Sequence, residues 1–143
     1  MAEAIDSGGG SGSQPTAHTT TPDPLRATDW AHGGDRLLYQ HCGACAQRWY
    51  FERPFCPGCG HTAPITTAAS GLGTVSASTL VLRAPSDEFR ALAPYRIVLV
   101  ELAEGVRVMG HGQAALVIGD AVRCEIRHIA NRQLPYFVST GSA

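Results

Sequence analysis

The chain contains no lysine. All eleven basic residues are arginine, set against twelve acids in 143 residues, and the formal net charge is −1. A histone-like or tail-driven nucleic-acid binder would carry a strong positive excess, so this balance argues against one. Charged residues make up only 16% while apolar residues reach 44%, which is enough for most of the chain to fold. No apolar run approaches the ~20 residues needed to span a bilayer. The first residues hold neither a base nor an apolar core, so a secretory leader is not expected. A cytoplasmic protein is the expectation, and there paired cysteines point to metal or catalysis before disulfides.

Enzyme signatures are also missing. There is no Gly-x-Ser-x-Gly elbow, no HExxH pair and no Walker loop. Gly71-Leu72-Gly73 precedes a strand pattern and not a helix, so it is not a phosphate cradle. His111 and His128 lie in strand patterns and read as surface or packed histidines. Cys124 sits on the apolar face of an alternating segment and reads as a small buried hydrophobe, not as a nucleophile.

What is present divides into three. Residues 1–24 are rich in Gly, Ser, Thr and Pro, with one Ile and no aromatic residue. They cannot bury enough surface to offset chain entropy and are expected to be disordered. Residues 25–70 hold four of the five cysteines, and residues 71–143 read as strands. In the lead-in, Asp29 caps a short helical turn that Gly33-Gly34 ends. Residues 37–40 then form a strand entering the first cysteine pair, and 62–70 read as the loop between modules.

The cysteines follow the pattern Cys42-Gly-Ala-Cys45, ten residues, Cys56-Pro-Gly-Cys59-Gly60. Four thiolates suit a closed tetrahedral site, and two-residue spacing lets each pair grip one metal from a tight turn. Zinc is the expected ion, with iron in a rubredoxin-like site as the alternative. His41 and His61 flank a shell that four sulfurs already fill. Between the pairs, Arg48-Trp49-Tyr50-Phe51 can form a crossing strand. A ribbon has little core for three rings, so part of this cluster is expected to pack on the barrel or on another chain.

Beyond residue 70 the period becomes two. Residues 74–82 place Val75, Ala77, Thr79 and Val81 on one face. Residues 95–102 are β-branched, Ala103-Glu104-Gly105 is a hairpin turn, and 106–111 return. Residues 121–130 alternate Val122, Cys124 and Ile126 against Arg123, Glu125 and Arg127, and 134–138 close the set. Five short strands fit a small OB-type Greek-key barrel, with an SH3-like barrel or open meander as the alternative. The predicted fold class is therefore mostly β: a rubredoxin-like zinc ribbon, then a five-stranded OB-type barrel. Between the first two barrel strands, Arg83, Arg90 and Arg96 flank a Pro-rich loop. It reads as a solvated loop or as a face for a partner or for the phosphates of coenzyme A.

Taken in order, Leu38-Tyr-Gln-His-Cys42-Gly-Ala-Cys45, Phe51-Glu-Arg-Pro-Phe-Cys56-Pro-Gly-Cys59-Gly, Gly71-Leu-Gly-Thr-Val, Pro94-Tyr-Arg-Ile-Val, Ile118-Gly-Asp-Ala-Val122 and Leu134-Pro-Tyr-Phe137 resemble one family. It is the zinc-ribbon/OB-fold family long described as a domain of unknown function, whose members accompany thiolase-like and hydratase enzymes acting on acyl-CoA. Ala46 departs from it, standing where a Gly often follows the first cysteine pair, and the helical lead-in is short. The resemblance implies a non-catalytic accessory subunit, in lipid or aromatic-acid metabolism, that holds a hetero-oligomer together and helps shape its acyl-CoA site. The partner, a thiolase-fold or hydratase subunit, would bring the chemistry. Two readings stay open beside it. One is a single-stranded nucleic-acid-binding ribbon/OB protein, although the barrel's seven Arg against six acids give it little basic excess. The other is an independent redox or metal-handling protein.

Overall fold

A computed structural model describes residues 24–141. The expected Gly/Ser/Thr/Pro tail lies outside the described residues, apart from Pro24. Two single-turn 3-10 helices, Arg26–Thr28 and Trp30–His32, lead in, with Asp29 at the N-terminus of the second and Gly33 closing it at φ 89°. The first three strands, β1 (Leu38–His41), β2 (Arg48–Trp49) and β3 (Ile65–Ala68), make an antiparallel sheet in the order β2-β1-β3.

The remaining five strands are β4 (Leu72–Val81), β5 (Tyr95–Leu102), β6 (Arg107–Gly112), β7 (Ala121–Ile129) and β8 (Arg132–Ser139). They close a barrel in the order β4-β5-β6-β8-β7, with β7 returning to β4. All barrel neighbours are antiparallel except β6 and β8, which run parallel. A closed five-stranded barrel with one crossing connection is the OB arrangement, and closure leaves no sheet edge to aggregate. Val75, Val98, Val100, Val108, Val122 and Phe137 fill it, and Leu116 is buried with them from the β6–β7 connection. Each such side chain stabilises the fold by about 1.5–3 kcal/mol through burial.

The strand patterns place every barrel strand, with three local differences. First, Val75, Ala77, Thr79 and Val81 do not share a face. The register slips between Val75 and Ala77, so Val75 pairs with Val100 in the core while Ala77 pairs with Leu99 and is exposed. One extra residue at Ser76 turns the rest of the strand over, as a bulge must in a period-two element. Second, β3 lies inside the stretch read as a loop. Its β-branched Ile65-Thr66-Thr67 pairs along β1, whose free edge demands a partner. Third, the strand between the cysteine pairs stops at Trp49, because Phe51 turns into the left-handed region at φ 57°. Between β4 and β5 the chain also forms one helical turn, α1 (Asp87–Arg90), with Ser86 at its N-terminus.

Ribbon and barrel share a core. Leu37 and Tyr39 belong to the barrel's apolar cluster, and Trp30, Tyr50, Ala69 and Cys124 pack against it. Polar contacts repeat the union. The Trp30 indole N–H donates to the Tyr50 hydroxyl at 2.7 Å. The side-chain amide of Gln133 donates to the Gly33 and Gly34 carbonyls at 2.9 and 2.8 Å. At the β5–β6 turn, Glu104 accepts the Ser70 amide at 2.7 Å, and its carbonyl accepts Arg48 at 2.9 Å.

Candidate metal centre

The two cysteine turns have the same backbone wiring. In the first, the Cys42 amide donates to the Gln47 carbonyl (2.8 Å) and the Ala46 amide to the Cys42 carbonyl (2.9 Å). In the second, Cys56 donates to His61 (2.8 Å) and Gly60 to Cys56 (3.0 Å). Each turn aims two further amides at its leading sulfur: Ala44 and Cys45 at Cys42, and Gly58 and Cys59 at Cys56, at 3.3 and 3.5 Å in both. After each second cysteine the chain must enter the left-handed region to leave the turn. Gly60 does so at φ 81° and Ala46 at φ 63°. A glycine suits that position because it carries no Cβ, and Ala46 occupies it under strain.

The turns bring all four sulfurs within 4.8 Å of one another. Cys42 and Cys59 stand 3.6 Å apart, as do Cys45 and Cys56. A tetrahedron with zinc–sulfur bonds of ~2.3 Å has edges of about 3.8 Å, so the group fits such an ion. Cys42 and Cys56 are buried, and Cys45 and Cys59 are exposed. The electrostatics favour thiolates at the buried pair. The Cys45 amide leads in holding the Cys42 thiol below its ordinary range. Burial works against ionisation of Cys56, but the Cys59 and Gly58 amides and the neighbouring thiols outweigh it and bring its pKa to about 6. A dipole-lined, four-sulfur cluster could therefore hold a metal ion such as zinc.

Packing below the cluster is thin. Cys42, Trp49 and Cys56 form its only buried group among the described residues. The buried Gln40 side chain organises it, accepting the Trp49 indole N–H at 2.8 Å and the Arg53 amide at 2.7 Å. Of the three rings in the cluster, Trp49 is buried and Tyr50 half-buried on the barrel. Burial raises the Tyr50 hydroxyl pKa to about 12. Phe51 is 73% exposed.

The structure does not gather Arg83, Arg90 and Arg96 into one site. Arg96 is committed to the barrel, donating to the Ala114 carbonyl at 2.8 Å and to the Ser78 hydroxyl. Arg90 pairs with Asp87 at 2.9 Å on the exposed turn α1. Arg83 is exposed just beyond β4. Near them, a cleft of about 340 Å³ opens between the β4–β5 connection and the β7–β8 hairpin, lined by Leu92, Tyr95, Arg96, His111, Arg127 and Tyr136 among others. Two of its rings stack, Tyr95 on His111 at 4.9 Å, and Phe89 of α1 stacks on the same His111 at 5.8 Å. Arg127 lies over Tyr136 at 3.9 Å. Burial lowers the His111 pKa. The sequence pattern does not pick out this cluster, because its members come from all five barrel strands and the loops between them. Cys124, packed beside the core, has its thiol pushed up to about 11 by burial.

This geometry defines a class: a four-cysteine ribbon fused through a shared core to an OB barrel. The sequence profile of the ChsH2 C-terminal OB-fold domain matches residues 66–127. A DUF35 domain-containing scaffold protein of Methanothermobacter thermautotrophicus is 32% identical over 107 residues, covering 70% of this chain and 80% of that protein. A probable enoyl-CoA hydratase alpha subunit of Thermomonospora curvata is 36% identical over 74 residues, but these span 52% of this chain and only 23% of that subunit. Among solved structures, a chain of the Ltp2–ChsH2(DUF35) aldolase superposes with a TM-score of 0.64 at 30% identity, covering 74% of this chain and 86% of that one. The chain belongs to the DUF35 family. No helix among the described residues is long and apolar enough to cross a membrane.

Proposed function

We propose that the chain is a non-catalytic accessory subunit of a thiolase-like or hydratase-type acyl-CoA complex in the cytoplasm. Residues 25–70 act as a module held by a structural zinc at Cys42, Cys45, Cys56 and Cys59, and residues 71–143 act as the OB module. Together they assemble the complex and help shape its acyl-CoA site. The observation that carries this reading is the match, over ribbon and barrel alike, to the chain from the Ltp2–ChsH2(DUF35) aldolase. The likeness to a hydratase alpha subunit and to DUF35 scaffold proteins supports the same role.

The chain's own contribution is positional. The knuckle amides and Gln40 set the ribbon, and the shared core and the Glu104 clamp set the ribbon against the barrel. A rigid pair of modules can present one continuous surface to a partner at little entropic cost. Arg83, exposed on the β4–β5 connection and without an ion pair among the described residues, is the basic group there open to a coenzyme A phosphate or a partner, and Arg90 could join it only by giving up its pairing with Asp87. Arg96 holds the base of that connection to the barrel. Co-purification of the tagged full-length chain from its host, followed by acyl-CoA turnover with and without the chain, tests the proposal. A thiolase-fold or hydratase subunit should be recovered, and its activity should depend on the chain. Turnover by the isolated chain, or the absence of any such subunit, would refute it.

A further inference from the structure

The bend between the cysteine pairs combines strain, support and exposure in an unusual way. Phe51 occupies the left-handed region at φ 57°, a conformation that a bulky side chain adopts only as an outlier. Such strain persists only where the surroundings over-determine it. Here they do. From inside, the Gln40 carboxamide oxygen grips Trp49 and Arg53, the residues on either side of the bend. From the lead-in, Trp30 donates to Tyr50 at 2.7 Å, and Arg26 pairs with Glu52 at 2.8 Å. Every residue of the bend is tied into the protein by a polar contact except Phe51, whose ring lies tilted against Tyr50, 4.6 Å between centroids. A glycine would remove the strain, yet the chain places a phenylalanine here with its ring 73% exposed.

We infer that Phe51 is the anchor by which the ribbon docks on the partner subunit, seated in an apolar pocket with an acidic rim. The rim follows from charge. Arg26 and Glu52 neutralise one another beside Phe51, with His32 3.5 Å from the same carboxylate, and Asp29 lies half-buried behind them, whereas the exposed Arg53 makes no ion pair among the described residues and puts a positive charge on the surface of the bend. An aromatic anchor beside an unpaired arginine is the composition of an interface hot spot. The inference rests on the accessory-subunit reading and names the residues that would carry its contact.

The test uses the full-length chain, tagged in its own host, as wild type and as Phe51→Ala, Phe51→Gly, Arg53→Glu and, on the barrel's outer face, Met109→Ala. The wild type and Met109→Ala should recover a subunit of thiolase or hydratase sequence. When that purified subunit is titrated, both Phe51 variants should weaken binding by about 30-fold or more, and Arg53→Glu should weaken it too. Phe51→Gly should also melt above the wild type, because it relieves the backbone while losing the partner, which a packing role could not do. Wild-type recovery of the subunit with undiminished binding by the Phe51 variants would overturn the anchor and leave the accessory role standing. A lower melting temperature for Phe51→Gly would overturn the anchor too, since the bend would then be serving the fold. If the wild type recovers no such subunit, the accessory role fails and the anchor fails with it.

Discussion

Stripping the metal should melt the cysteine turns and leave the barrel folded. The twenty residues from Cys42 to His61 cost roughly 20 kcal/mol of backbone entropy to order, at the low end of ~1 kcal/mol per residue. Burying Trp49 and two cysteines returns about 5 kcal/mol. The four backbone hydrogen bonds of the turns add about 4 kcal/mol. The contacts of Arg48, Trp49, Tyr50 and Arg53 with Glu104, Gln40 and Trp30 reduce the shortfall but leave several kcal/mol, which the ~10–16 kcal/mol that a structural zinc supplies at neutral pH covers. The barrel needs no such help, because Val75, Val98, Val100, Val108, Val122 and Phe137 form its own core. Hydrogen exchange read by mass spectrometry, with zinc and with excess chelator, separates the two. Amides from Cys42 to His61 should lose protection, while those of β5 and β6 keep it. The strands β1 and β3 should show partial loss, since Leu37 and Tyr39 remain in the barrel core. Cys45→Ala should reproduce the chelated pattern. Protection of the turns that survives chelation, or loss of turns and barrel together at one chelator concentration, would refute the reasoning.

Three further outcomes follow from single groups. Ala46→Gly should stabilise the metal-loaded protein by about 0.5–1 kcal/mol, the left-handed penalty less the added entropy of glycine; thermal unfolding at fixed zinc should show a rise of a few degrees. For Glu104, burial disfavours the charge, but the Ser70 hydrogen bonds and Arg48 outweigh it and hold the carboxyl below its usual 4.5. The carboxylate therefore stabilises fully above about pH 4.5 and loses that contribution as pH falls through its lower folded value. Glu104→Gln should cost about 1 kcal/mol at pH 7, and denaturant titrations should show the difference shrinking towards pH 3. The Cys124 thiol, raised to about 11 by burial, is roughly one-thousandth ionised at pH 8. Ellman's reagent should register no fast thiol in the metal-loaded fold and all five cysteines after denaturation with chelator.

Legibility in the sequence tracked the range of the interactions involved. The cysteine cluster was plain because two Cys-x-x-Cys pairs encode their own local turns, and the barrel strands were plain because alternation records which face is buried. The bulge at Ser76 was not, since Val75, Ala77, Thr79 and Val81 look like one face until the pairing with Val100 and Leu99 reveals the slip. Strand β3 was hidden for a related reason: Ile65-Thr66-Thr67 becomes a strand because β1 offers an edge twenty-odd residues earlier. The Phe51 bend depends on Gln40, Trp30 and Arg26, three residues from two other segments. The three arginines read as flanking the β4–β5 loop differ in what holds them: Arg96 is bonded to Ser78 and Ala114 and Arg90 to Asp87, which spacing along the chain does not record.

The shared core changes what the metal can control. If ribbon and barrel met only through a linker, loss of zinc would free one bead from another and leave the barrel surface as it was. Instead Leu37 and Tyr39 enter the barrel cluster from the strand that leads directly into Cys42. Glu104 joins the β5–β6 turn to Arg48 of β2 and to Ser70 before β4. Melting the turns removes β2, and with it the Arg48 contact and the Tyr50 hydroxyl that accepts Trp30. The lead-in then keeps its Gln133 hydrogen bonds, its internal Asp29–Arg36 bridge and the packing of Trp30 on the barrel core. Metal occupancy is thus linked to the surface formed jointly by lead-in, ribbon and barrel, while the barrel itself persists. In the proposed accessory subunit, a partner would recognise that joint surface, and metal occupancy would then control assembly.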